Sequence, residues 1–148
     1  MNILLIEDNI LKREKVASFL RTICACSLSE AASFNAGLNA ALSGQYDALI
    51  LDMSMPTFDR TETAHGGRFR SIAGKEIAIR LAKRGALIPF VILTGYKDFS
   101  VDDQNLSIDE IDESLKELGN SYKGYIMFDA AESLWKEKLS EIVRSLTP

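Results

Sequence analysis

A chain of 148 residues, 47% hydrophobic and 26% charged, has the make-up of one globular domain able to bury a sizeable core. Its formal net charge of −4 leaves no basic field for nucleic acid. No apolar run approaches the ~20 residues of a membrane span, and the short apolar start, Met1 to Ile6, runs straight into Glu7 and Asp8, unlike a signal peptide. The expectation is a cytoplasmic protein.

In chain order, strands and helices alternate. Ile3-Leu4-Leu5-Ile6 is a continuous apolar run, as in a strand buried on both faces, and it ends at Glu7-Asp8-Asn9. Val16, Phe19, Leu20 and Ile23 follow at helical spacing. Ala25 to Ser29 reads as a second, weaker strand, and Ser33 to Leu42 as a helix stopped by Gly44. Cys24 and Cys26 fall at the start of that strand. Alternation in a strand would send their side chains to opposite faces, so the expectation is two small packing residues and no mutual disulfide. No further Cys or His cluster stands by to complete a zinc site.

Ala48 to Leu51 is the third strand and stops at Asp52. A long polar stretch, Ser54 to Ser71, comes next, with Pro56 and Gly66-Gly67 inside it. Lys75 to Arg84 is a helix closed by Gly85, and Pro89 to Leu93 is the fourth strand, ending at Thr94-Gly95. Tyr96 to Asn105 reads as a polar loop. Ser107-Ile108-Asp109-Glu110 has the form of a capping box and opens a helix with Ile108, Ile111, Leu115 and Leu118 on one face, stopped by Gly119. Its outer charges, Asp109, Asp112, Glu113 and Glu117, make a solvated face. Gly124 to Phe128 is the fifth strand. Asp129, with Glu132 three residues on, caps a last helix whose apolar face is Trp135, Leu139, Ile142, Val143 and Leu146.

Five strands each followed by a helix predict a parallel sheet covered on both faces by right-handed crossovers. In such sheets ligands bind beyond the carboxyl ends of the strands, near the topological switch point. Those ends carry Glu7 and Asp8, Asp52, and Thr94. Clustered carboxylates raise one another's pKa unless a cation neutralises them. An all-oxygen set with few carboxylates suits Mg²⁺, which keeps several waters and bridges to phosphate.

Four segments in order resemble the bacterial response-regulator receiver domain, CheY-like in type. They are Ile3 to Asn9 with its acidic pair, Tyr46 to Pro56 with Asp52 and Met55-Pro56, Val91 to Gly95, and Gly124-Tyr125. The resemblance spans almost the whole chain, so one receiver domain is expected over 1–148. It implies a flavodoxin-like fold with strand order 2-1-3-4-5. It also implies that Asp52 accepts a phosphoryl group as a carboxylate nucleophile. Glu7, Asp8, Asp52 and the backbone carbonyl of Ser54 would hold Mg²⁺. Thr94 would be the switch hydroxyl that turns toward the new phosphate, and Tyr125 the switch aromatic that moves into the space Thr94 leaves.

Two departures stand out. The family has a lysine three residues after the switch aromatic, usually followed by proline; here those positions are Phe128 and Asp129. Lys97 and Lys123 are near in sequence but match neither position. The stretch after Pro56 is about a dozen residues longer than the family's, a length that is usually functional or mobile. It carries Arg60, Arg68, Arg70 and the only histidine, His65. Two readings stay open for it: a solvated surface loop, or a segment in which one of the three arginines, Arg60, Arg68 or Arg70, takes the missing lysine's part, since a guanidinium pairs well with phosphate.

The leading expectation is a stand-alone receiver in two-component phosphorelay signalling. It would be phosphorylated by a histidine kinase or a histidine phosphotransfer protein, and its output would come from binding another protein, not from catalysis. One alternative is a receiver-like interaction module that phosphate does not switch. Another is a metal-dependent aspartyl phosphohydrolase of the haloacid-dehalogenase type. Those enzymes want a second aspartate two residues after the nucleophile, where this chain has Ser54.

Overall fold

The computed structural model describes residues 1–146. Strands β1 (Asn2–Ile6), β2 (Ser27–Ala31), β3 (Ala48–Leu51), β6 (Phe90–Thr94) and β9 (Tyr122–Met127) form one parallel sheet in the order β2-β1-β3-β6-β9. Counting only these strands, the order is 2-1-3-4-5, the flavodoxin-like arrangement. The central strands are apolar throughout because both faces are covered. Leu4, Ile6, Leu49, Leu51, Phe90 and Ile92 pack under α2 (Phe34–Ser43), α3 (Ala73–Lys83) and α4 (Ile108–Lys116). Their alternates Ile3, Leu5, Ile50, Val91, Leu93 and Ile126 pack under α1 (Ile10–Ile23) and α5 (Leu134–Leu146). No helix among the described residues is long and apolar enough to cross a membrane.

Register places the strand ends. Ile6 pairs with Leu51 and Leu51 with Ile92, so Glu7, Asp52 and Thr94 leave the sheet at one edge. Between β6 and β9 the register slips: Phe90 faces Tyr122 but Ile92 faces Tyr125. Gly124, at φ +97°, absorbs the extra residue. The bulge turns Tyr122 and Tyr125 to the same side, toward α4.

Several sequence expectations need correction. β2 begins at Ser27, not Ala25, because the turn after α1 is longer than the apolar pattern implied. Cys24 caps the helix, with its N–H on the Leu20 carbonyl, so Cys24-Ala25-Cys26 is the unpaired link between α1 and β2 and not part of a strand. Outside a paired, pleated strand, alternate side chains need not point apart. The two Cα atoms lie 5.2 Å apart and the sulfurs form a disulfide.

The stretch 54–71 is no open loop. β4 (Met55–Pro56) pairs antiparallel with β5 (Phe69–Arg70), and Thr57 to Arg68, Phe58 to Gly66 and Thr61 to Ala64 continue the bonding outward. Gly66 and Gly67, both at positive φ, turn this ribbon back.

Tyr96 to Asn105 also holds a hairpin, β7 (Asp98–Val101) with β8 (Gln104–Ser107). Its two-residue turn is Asp102-Asp103, both left-handed at φ 48° and 63°, which short carboxylate side chains tolerate.

Asp129 does not cap the last helix. Its carboxylate bonds the Ala131 N–H in a separate turn, and the helix starts after Ser133, whose carbonyl accepts from Lys136 and Glu137.

Candidate functional site

The three carboxylates are delivered by backbone constraints on either side of them. The Asp52 N–H donates to the Ile6 carbonyl at 3.0 Å, which ties the end of β3 to the end of β1. Beyond Asp52 the chain passes directly under α3. A Cβ on Gly74 would run into the Asp52 carbonyl oxygen, so only glycine lets that helix sit so close. One carboxylate oxygen from each of Glu7, Asp8 and Asp52 lies within 4.8 Å of the others, a set able to hold a metal ion. With Ser54 they border a cavity of about 510 Å³ at the carboxyl edge of the sheet. Three oxygens so placed, with room left for water, suit Mg²⁺.

Glu7 and Asp52 are almost fully buried, at 2% and 8% exposure. Burial, and then the nearby Asp52 charge, push the Glu7 carboxyl up to about 8. What holds this acidic pair in the absence of a cation is Lys12. Its Nζ lies 2.6 Å from Glu7 Oε1 and 3.2 Å from Asp52 Oδ1, and it donates to the Leu93 carbonyl at 2.7 Å. Asp52 Oδ1 also accepts the Met53 N–H at 2.8 Å. Asp8 has its own partner, Arg60 of the β4–β5 ribbon, at 2.9 Å.

Lys12 reaches the pocket because of how α1 starts. Asn9 is the N-cap, accepting the Lys12 N–H at 3.0 Å, while Glu7 Oε2 accepts the Asn9 N–H at 3.0 Å. Glu7 thus does from before the helix what a glutamate in the first turn does in a capping box. The first turn holds no acidic residue, and Lys12 points back into the site.

Thr94 is fully buried at the end of β6, and its Oγ1 accepts the Tyr96 N–H at 3.2 Å. Tyr125 is turned the other way: its hydroxyl donates to Asp109 on α4 at 2.7 Å, a bond that raises its phenol. Tyr122 does the same to Asp112, one helical turn along, and burial with that bond raises its phenol strongly.

Phe128 borders the cavity but belongs to an aromatic stack. Its ring centroid is 4.9 Å from that of Trp135, which meets Phe19 edge-on at 5.5 Å. Lys12 Nζ lies 5.5 Å from the Phe128 ring.

Of the three arginines named from the sequence, one reaches the acidic site. Arg70 is committed elsewhere: it pairs with Glu76 at 2.8 Å, bonds Thr57, and lies 4.0 Å over the Phe34 ring. Arg60, and neither Arg68 nor Arg70, reaches the acidic site. His65 lies at the exposed tip of the ribbon. The sequence reading missed Lys12. The signal was present, a cation three residues after a helix cap where an acid is preferred. Leu11, Phe69 and Tyr96 were missed as well; these exposed apolar side chains border the cavity beside the carboxylates.

Comparison with known proteins bears on this arrangement. No protein-family model matches the chain. The Detocs response regulatory protein DtcB of Enterobacter cloacae (strain JD6301) is 32% identical over 153 residues, which take in 99% of this chain and 100% of that protein. The chain belongs to the response-regulator family. Solved receivers share the fold across this one's length. The response regulator TrrA of Thermotoga maritima, in complex with Mg²⁺–BeF, superposes with a TM-score of 0.63 at 21% identity, covering 99% of this chain and 98% of that one. Chemotaxis response regulator CheY4 of Vibrio cholerae gives 0.65 at 18% identity, with the same coverage.

Proposed function

We propose that this receiver, a single domain over residues 1–148, accepts a phosphoryl group on Asp52 and signals by protein–protein interaction in the cytoplasm. The donor is a histidine kinase or a histidine phosphotransfer protein. The observation that carries this reading is the convergence of Glu7, Asp8 and Asp52, with oxygens within 4.8 Å, at the open carboxyl edge of the sheet.

Glu7, Asp8, Asp52 and the Ser54 backbone carbonyl would hold Mg²⁺. When bound, the cation neutralises charge on the transferring phosphoryl oxygens. An Asp52 carboxylate oxygen attacks phosphorus in line, the bond from phosphorus to the donor breaks, and an acyl phosphate remains. The donor leaves with the electron pair of the broken bond. Met53 N–H and Lys12 fix the other Asp52 oxygen and orient the attack.

The switch pair then has a defined route. The Thr94 hydroxyl gives up the Tyr96 N–H to reach phosphate, and Tyr125 leaves Asp109 to fill the space behind it. The Tyr122–Asp112 bond holds α4 on β9 throughout.

The test is incubation with acetyl phosphate and Mg²⁺ followed by intact mass. One base-labile, acid-stable phosphoryl adduct is expected. Asp52→Asn abolishes it, and chelation suppresses it. Equal labelling of the Asn variant refutes the assignment. Absence of any adduct in the wild-type protein favours the second reading, an interaction module that phosphate does not switch. That reading draws on Lys12 and Arg60, which already neutralise much of the site without metal. Sustained multiple-turnover release of phosphate would point instead to a phosphohydrolase.

A further inference from the structure

We infer that Lys12, from the first turn of α1, supplies the ammonium that grips the phosphoryl group once it is on Asp52. This inference rests on Asp52 being the acceptor. Lys12 is built into the site, not draped over it. Its side chain is 11% exposed, and three acceptors on three strand ends hold its Nζ: Glu7 after β1, Asp52 after β3 and Leu93 in β6. A primary ammonium has three N–H bonds, and here each has an oxygen to point at.

The position is locally unfavourable. A cation in the first turn of a helix opposes the helix dipole, and an acid at that place would have completed a capping box with Asn9. Positions that break a local rule inside a well-packed fold mark function more often than accident.

The chemistry follows from the partners. Glu7 and Asp52 are the carboxylates a cation would occupy. A Mg²⁺ held by Glu7 would compete with Lys12 for its shortest contact, the 2.6 Å approach to Glu7 Oε1. Phosphorylation then places new anionic oxygens on Asp52, whose Oδ1 is 3.2 Å from Nζ. Lys12 exchanges one carboxylate for a phosphoryl oxygen while keeping the Leu93 carbonyl, with little motion of its stem. It forms no covalent bond and passes no proton in the reaction. It stabilises charge in the transition state and in the acyl phosphate. The Phe128 ring lies beneath it and keeps water from that side of the ammonium. Phe128 therefore does not leave the site without a cation; the cation arrives from α1 instead of from β9.

The test compares wild type, Lys12→Met and Lys12→Met/Phe128→Lys, with acetyl phosphate as donor. In that reaction the Asp52–phosphorus bond forms, the phosphorus–oxygen bond to acetate breaks, and acetate leaves as the anion. Lys12→Met keeps the apolar stem and removes the charge. It is expected to bind Mg²⁺ at least as tightly as wild type, read from the melting-temperature rise with MgCl₂, because a competitor for Glu7 is gone. Its acyl phosphate should form more slowly by a factor on the order of 10 to 100. Moving the ammonium to position 128 in the double variant should recover most of that rate, which a merely structural loss at Lys12 would not allow.

If Lys12→Met melts below the assay temperature, Lys12→Gln, which keeps a hydrogen-bond donor without charge, carries the same expectation. Wild-type rates in the uncharged variants, with Mg²⁺ still bound, overturn the role of Lys12 and leave Asp52 as acceptor. No adduct on the wild-type protein overturns both.

Discussion

Removing the charge of Glu7 should change how stability depends on pH, and the size of the change follows from the site. Burial and the Asp52 charge carry the Glu7 carboxyl from an ordinary 4.5 to about 8. Below pH 4.5 the group is protonated in both the folded and unfolded chain and contributes nothing to the difference. Between 4.5 and 8 the unfolded chain has lost the proton and the folded one keeps it, so raising the pH favours unfolding. Above 8 both are ionised and the penalty is complete. Each pH unit inside that window costs up to about 1.4 kcal/mol, so going from pH 5.5 to 7.5 removes up to ~3 kcal/mol. For a domain of this size that corresponds to a fall in Tm of roughly 6–12 °C.

Glu7→Gln cannot ionise, so its Tm should stay flatter across the same range, and the variant should overtake wild type toward pH 8. The comparison is made by thermal melts in chelator at matched ionic strength, taking the difference between the two proteins so that other titrating groups cancel. Millimolar Mg²⁺ should lift the wild-type curve most at high pH, where Glu7 is easiest to ionise, and leave Glu7→Gln almost unmoved. Parallel curves for the two proteins between pH 5 and 8 would refute the reasoning.

Gly74→Ala should destabilise by about 1–3 kcal/mol and lower the phosphorylation rate of the folded fraction, since the new methyl meets the Asp52 carbonyl and neither backbone can retreat freely; urea melts and adduct formation measure the two effects. Arg60→Ala removes the partner of Asp8 and should raise Mg²⁺ affinity a few-fold without lowering the yield of adduct, whereas Arg70→Ala, paired with Glu76, should leave Mg²⁺ affinity unchanged. With beryllofluoride and Mg²⁺, hydrogen exchange should slow in residues 54–71 more than in residues 106–128, because a ribbon that touches Asp8 feels the site directly, while Tyr122 and Asp112 keep α4 fixed; the reverse pattern would show that α4 follows Tyr125 when it leaves Asp109.

Much of the sheet was legible because burial on both faces leaves a plain signature. The third strand, Ala48 to Leu51, was placed to the residue, and β1 and β6 to within one. Helix stops at Gly85 and Gly119 were legible because both residues take the positive φ that glycine adopts at low cost, while Gly44 caps α2 in extended conformation. The two small β-ribbons were not. Their strands are two to four residues long and mix buried, half-buried and exposed positions, so no period has the length to mark them. The turn of β7–β8 uses Asp102-Asp103 in place of the glycine-containing pair that usually announces a hairpin. The Cys24–Cys26 disulfide is not legible in the sequence because nothing there marks β2 as starting at Ser27, which leaves both cysteines outside the pleat that would separate their side chains.

The site was half legible, and the division has a physical cause. Carboxylates at strand ends are placed by the register of the sheet, so Glu7, Asp8 and Asp52 could be brought together from sequence alone. Their counter-ions come from long side chains on neighbouring elements, and sequence distance says little about where such a side chain ends. The family's motif points to the end of the last sheet strand for the cation, yet the nearest ammonium belongs to a residue only five positions after Glu7. A helix beginning directly after an acidic strand end aims its first turn over that end. Any lysine three residues past the cap can therefore fold back onto the carboxylates, as Lys12 does with Asn9 as cap. In a receiver with an aromatic at the position of Phe128, just past the last sheet strand, the first turn of α1 is thus the place to look for the missing charge.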